Sequence, residues 1–148
     1  MFLRMLCLML CLCALGNAAQ AGGAALQPLE TDGCGLRVFD VSDKARVLAF
    51  ANVDDEKPQL KIDLGKGPML LSLQSPSEKD QDFSVTGKQY KEVYKAANIS
   101  VRLNAISTLQ CCGIEPKEDC ECSTLKGSML LKTKTDSQTY RVEIHRGC

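Results

Sequence analysis

The chain has 148 residues, 18 basic and 18 acidic side chains, 45% hydrophobic residues and nine cysteines. This length is enough for one domain with a single core. The balanced charge, without a block of Lys and Arg along the sequence, argues against a nucleic-acid-binding protein.

The N-terminal segment has the pattern of a secretory signal peptide. Arg4 supplies a positive charge, residues 5–16 are apolar, and Ala19-Gln20-Ala21 is a small-x-small cleavage motif. The apolar run is too short to span a bilayer, so we expect no membrane anchor. Residues 1–21 are therefore predicted to be removed on export to the periplasm or the extracellular space.

Two regions follow the predicted cleavage site. Residues 22–33 are rich in Gly, Ala and Gln and contain Pro28, which predicts a flexible lead-in. Residues 34–148 are predicted to form one domain.

From Leu36 onward, apolar residues recur at every second position, which is typical of half-buried strands. Leu60 and Ile62 alternate with polar residues, and residues 99–105 repeat the pattern. The sequence therefore predicts an all-β domain, a small antiparallel β-sandwich or barrel with at most one short helix. Residues 88–97 fit a short helix and an edge strand equally well, and both interpretations stay open.

The C-terminal residues predict a β-hairpin. If Asp136 and Ser137 form a two-residue turn, apolar and polar side chains separate onto two faces. His145 is then on the polar face beside Ser128. The apolar face holds Met129, Leu131, Thr133, Tyr140, Val142 and Ile144.

Six cysteines follow the predicted signal peptide: Cys34, Cys111, Cys112, Cys120, Cys122 and Cys148. In an oxidising compartment such an even set predicts a disulfide-stapled domain. Because neighbouring residues on a strand point to opposite faces, Cys111 and Cys112 diverge. We expect Cys112 to bond with Cys120, and Cys34 and Cys148 each to bond with one of Cys111 and Cys122.

The alternative hypothesis is a periplasmic metal-binding or redox protein that uses the cysteines from Cys111 to Cys122. His145 lies three residues before Cys148, and thiolates together with imidazole can hold soft metals. The Cys-x2-Cys spacing of structural zinc sites is absent from the sequence, however. No metal site and no cofactor is therefore predicted.

The chain has few catalytic groups, with a single histidine and an even number of exported cysteines. We therefore predict a non-enzymatic binding or inhibitory module whose partner is another envelope or extracellular protein. The loop of residues 113–119 is the predicted binding element, because flanking cysteines limit the entropy that it loses on binding. Its candidate contact residues are Ile114, Glu115, Pro116 and Lys117.

Overall fold

The computed structural model describes residues 25–52, 56–74, 86–110 and 122–147. These residues form eight strands and no helix, so the predicted all-β class is confirmed. The strands are β1 (Gly35–Asp40), β2 (Asp43–Ala51), β3 (Gln59–Asp63), β4 (Pro68–Leu73), β5 (Gln89–Ala96), β6 (Ile99–Gln110), β7 (Ser123–Lys132) and β8 (Ser137–Gly147).

The strands pair in chain order, each antiparallel to the next, and β1 also pairs with β8. The sheet therefore closes into a barrel, which decides between the two predicted architectures. A closed barrel leaves no unpaired strand edge.

The two ends of the barrel differ in their connections. The short-turn end carries residues 41–42, 64–67, 97–98 and 133–136, which join successive strand pairs. The long-loop end carries the other three connections and the start of β1. Cys34 and Cys122 both lie at the long-loop end, each next to the first residue of a strand.

Alternating side chains from every strand fill the barrel interior. Leu60 and Ile62 on β3, and Val101, Leu103 and Ala105 on β6, are all buried, as their alternation predicts. Burial of each large apolar side chain contributes about 1.5–3 kcal/mol. The barrel is therefore held together by a single apolar core.

Residues 89–96 are strand β5, which settles the question left open for residues 88–97. This strand pairs with β4 through Leu73 and Tyr94 and with β6 along its full length, so it is neither a helix nor an edge. Its period of two turns Tyr90 and Tyr94 into the core, where both are 2% exposed.

The predicted hairpin of β7 and β8 is confirmed, but its predicted turn and register are wrong. Met129 faces Tyr140, whereas the two-residue turn placed it opposite Ile144. Residues 133–136 form the connection, in which Thr133 N–H donates to the Asp136 carbonyl over 2.8 Å and Asp136 N–H donates to Thr133 Oγ1 over 3.1 Å. The register differs by four residues, and an even shift leaves each side chain on its predicted face.

The segment before β1 was expected to be a flexible lead-in over residues 22–33. In its described part, residues 25–33, Leu26 is completely buried and Leu29 is 8% exposed. Leu26 belongs to the same apolar cluster as the inward residues of the strands. This segment therefore contributes to the core without being a strand.

Hydrogen bonds attach this segment near the short-turn end of the barrel. The backbone N–H of Leu26 donates to Tyr140 Oη over 3.2 Å, and that of Gln27 donates to the Asp63 carbonyl over 2.8 Å. The Arg46 guanidinium donates to the Leu26 carbonyl. Because β3 ends and β8 begins at the short-turn end, Leu26 closes the core from that end.

Candidate functional site

A polar cluster lies inside the barrel on the inner face of β5. The period of two that buries Tyr90 and Tyr94 also buries Glu92, which is 7% exposed. The Tyr94 hydroxyl donates a hydrogen bond to Glu92 Oε2. Burial, and then the neighbouring carboxylate of Glu92, raise the pKa of Tyr94 well above that of an ordinary phenol.

Tyr90 belongs to the same cluster. Its pKa is raised well above its usual value, mainly by burial and further by Tyr94 and Glu92. Both phenols therefore stay neutral and able to donate hydrogen bonds to the buried carboxylate. A helix over residues 88–97 would place Glu92 on the face opposite Tyr90 and Tyr94, whereas a strand places all three on one face. Because the sequence fits both, it does not by itself predict this cluster.

A second cluster lies on the outer wall around Glu143. The Oε1 atom of Glu143 is 2.7 Å from Nε2 of His145, and its Oε2 atom is 3.5 Å from Nζ of Lys44. The hydrogen bond with His145, and then the charge of Lys44, lower the pKa of Glu143. The ring of Phe39 lies 4.7 Å from that of His145.

His145 is exposed on the outer face, as predicted, but Thr124 rather than Ser128 faces it across β7. Within the described ranges, no serine or threonine hydroxyl is hydrogen-bonded to His145. Glu143 and His145 thus form a surface pair on adjacent outward positions of one strand. Among the described residues, none supplies this pair with the nucleophile of a hydrolytic triad.

The outer wall of β5–β8 is strongly basic. Alternation turns the odd residues of β5 and β8 and the even residues of β6 and β7 outward. Six of these outward side chains are exposed cations, and we call them the basic wall: Lys91, Lys95, Arg102, Lys126, Lys132 and Arg141.

Strand register brings these cations together. Lys95 faces Ser100, which in turn faces Lys132. Neighbouring strands are about 4.8 Å apart, so the backbone positions of Lys95 and Lys132 lie about 10 Å apart. This separation matches the Debye length of about 10 Å at 0.1 M salt, and the potentials of the six cations therefore add over the wall.

Among the described residues, no cation of the basic wall forms an ion pair, although Glu143 faces Lys126 across β7 and β8. The ion pairs in those ranges join Glu143 to Lys44 and to His145. Glu143 is also the single acid among the outward positions of β5–β8, and its side chain is only 11% exposed. The wall thus concentrates positive charge in a chain whose total charge is zero.

The basic wall cannot be recognised in the sequence because its members are dispersed along the chain between residues 91 and 141. Linear sequence shows no basic block, and only the antiparallel register makes these residues neighbours. The sequence does show Lys or Arg at several polar positions of the predicted strands. Only the strand order and register show that these positions form one surface.

The sequence-predicted site residues fall mostly outside the described residues. This applies to Cys111, Cys112, Cys120 and Cys148, and also to Ile114, Glu115, Pro116 and Lys117. Cys34 and Cys122 are described and half-buried. In the described ranges, no group of three or more His, Cys, Asp or Glu residues is placed to hold a metal ion.

Comparison of the chain with protein-family models, curated proteins and solved structures found no match. The part of the chain that the structure describes contains no helix long and apolar enough to cross a membrane.

Proposed function

We propose that this protein is an exported, disulfide-stapled and non-enzymatic binding module of the cell envelope or extracellular space. It binds its partner through the basic wall. The observation that carries this proposal is the set of six exposed cations on four adjacent strands, none of which forms an ion pair in the described ranges.

The arrangement of the core supports recognition on the outside of the barrel. The interior of an eight-stranded barrel is wide enough for packed side chains or for one small ligand. Here large buried side chains from the strands, together with Leu26, occupy the interior. The polar groups available to a partner are therefore those of the outer wall and the connections.

The wall is also a rigid platform. Each of β5–β8 is hydrogen-bonded to a strand on both sides, so the backbone beneath the cations is fixed before binding. A preorganised surface loses less conformational entropy when it binds. Unpaired like charges repel one another and oppose folding, and a partner with negative charge removes that repulsion.

Disulfides at the long-loop end belong to the same proposal. Cys34 and Cys122 are described at this end, next to the first residues of β1 and β7. The pairing that we propose is the one expected from the sequence: Cys112 bonds with Cys120, and Cys34 and Cys148 each bond with Cys111 or Cys122.

Peptide mapping under non-reducing conditions decides the connectivity. Thiol titration tests the alternative of a metal-binding or redox protein. We expect no reactive thiol before reduction and six afterwards in the exported chain. Free thiols in the native protein would favour the alternative.

The binding function is tested by immobilising the oxidised mature protein and exposing it to envelope or extracellular extract. We expect components that salt releases to be retained by the wild type and by a Lys66→Glu variant, but not by Arg102→Glu. Lys66 is an exposed cation in the connection between β3 and β4, so this control has the same charge change away from the wall. Equal retention by all three proteins would contradict binding through the wall.

A further inference from the structure

We propose that the partner of the basic wall is an acidic polysaccharide, a flexible linear polymer with sulfate or carboxylate groups. This inference rests on the proposed function, because it assumes that the wall is the binding surface. It adds the chemical class of the partner.

The spacing of the cations favours a polymer over a small anion. Lys91 and Arg141 lie on the same level of the wall, linked across β6 and β7 by Asn104 and Ser128. Three strand spacings separate them, about 14 Å. One compact anion cannot contact both cations, whereas a chain with repeated anionic groups contacts several in succession.

Several positions between the cations suit a polymer that also carries hydroxyl groups. Five of them present neutral polar side chains, namely Gln89, Ser100, Asn104, Ser128 and Thr139, whereas Arg102 lies between Val93 and Leu130, and Ile106 faces Lys126. Hydroxyl and amide groups both donate and accept hydrogen bonds. The wall therefore offers ionic contacts to the acidic groups of a sugar chain and neutral hydrogen bonds to its hydroxyls.

The wall lacks the features that single-stranded nucleic acid requires. Proteins that bind single strands stack the bases on exposed aromatic side chains. None of the outward positions described for β5–β8 carries Phe, Tyr or Trp, because Tyr90 and Tyr94 of β5 point into the core. The cations could attract the phosphate groups of a single strand, but the wall has no aromatic side chains on which its bases could stack.

The shape of the wall disfavours a membrane and a nucleic-acid duplex. The wall belongs to a closed barrel and is therefore convex across its strands, so a flat bilayer or a stiff duplex contacts few strands at once. Stable membrane association also requires buried apolar surface. Ile106 is the exposed large apolar residue on this wall, at 49% exposure. A flexible polymer can instead follow the curvature and contact cations on all four strands.

The test measures binding of the oxidised mature protein to three probes by fluorescence anisotropy or co-sedimentation. The probes are a labelled heparin oligosaccharide, a labelled single-stranded DNA of equal charge, and phosphatidylglycerol vesicles. We expect the oligosaccharide to bind most tightly, with an affinity that falls as salt rises. Arg102→Glu should weaken this binding about tenfold, while Lys66→Glu should change it less than about twofold. Circular dichroism and thermal melting check that both variants fold.

The other possible results separate the class of the partner from the location of the binding surface. Tighter binding of DNA or vesicles, still weakened by Arg102→Glu, would overturn the polysaccharide and leave the wall as the binding surface. Oligosaccharide binding that Arg102→Glu and Lys66→Glu weaken equally would overturn both the partner class and the wall. If none of the probes binds, the proposal of an acidic polysaccharide as the partner is wrong. The proposed function is then tested separately by the extract experiment.

Discussion

Tyr94 donates its phenolic hydrogen to the carboxylate of Glu92, two residues earlier on the same strand, and both side chains lie inside the barrel. A buried carboxylate is costly unless hydrogen bonds replace its water. The inward tyrosines of β5 therefore make it possible for this strand to carry an acid into an apolar core.

Replacing Tyr94 with Phe removes one donor and leaves Glu92 buried. We expect Tyr94→Phe to lower the free energy of unfolding by about 1–3 kcal/mol, measured by urea denaturation. The double variant Tyr94→Phe/Glu92→Leu should lose less stability than the two single losses added together, because the carboxylate that needs the donor is gone. Additive losses would show that the two groups do not interact.

Alkaline pH should destabilise the protein through Tyr90 and Tyr94. The folded pKa of each phenol is raised above its unfolded value of about 10. Their contribution to stability is therefore complete below about pH 10 and is lost as the pH rises above it. In Tyr140→Phe, which keeps only these two of the three tyrosines, phenolate absorbance at 295 nm should appear together with unfolding. Ionisation at pH 10 with the fold intact would contradict this.

Gly127 on β7 has no room for a side chain. A Cβ atom at this position would lie 2.1 Å from the Asn104 carbonyl oxygen and 2.5 Å from the Cα of Ala105, both on the backbone of β6. We expect Gly127→Ala to lower the free energy of unfolding by about 1–3 kcal/mol, because the two strands must separate. Ser128→Ala, at the next position and facing outward, is the matched control and should change stability by less than about 0.5 kcal/mol.

Adjacent residues of β8 should respond oppositely to the same substitution. Val142 is completely buried, and Arg141 is exposed on the basic wall. Val142→Asp places an unpaired charge in the core and should unfold the domain, as seen by circular dichroism. Arg141→Asp should fold normally and bind less of the salt-released partner. Equal loss of structure in both variants would contradict the inward orientation of Val142 and the outward orientation of Arg141.

The segment before β1 should contribute measurably to stability. Leu26→Ala removes a completely buried side chain that closes the short-turn end, and we expect a loss of about 2–5 kcal/mol in thermal or urea unfolding. Gln27→Ala keeps the backbone hydrogen bond to Asp63 and removes an exposed side chain. A similar small effect from both substitutions would mean that the segment behaves as a flexible lead-in.

Sequence alone predicted the strand class and the facing of most side chains. Leu60, Ile62 and Val101 are inward because a period of two is a local property of the backbone. The same local rule kept Tyr140 on its predicted face even though the register of the hairpin was wrong by four residues.

Register, closure and charge clustering depended on the tertiary structure. The sequence permits a two-residue turn at Asp136 and Ser137, but the strands are connected by residues 133–136. Hydrogen bonds between Thr133 and Asp136 stabilise this connection. Pairing of β1 with β8 is a contact between opposite ends of the domain, and no local pattern encodes it. The basic wall arises from the same long-range pairing: alternation determines that Lys91 and Arg141 face outward, but only closure and register make them part of one surface.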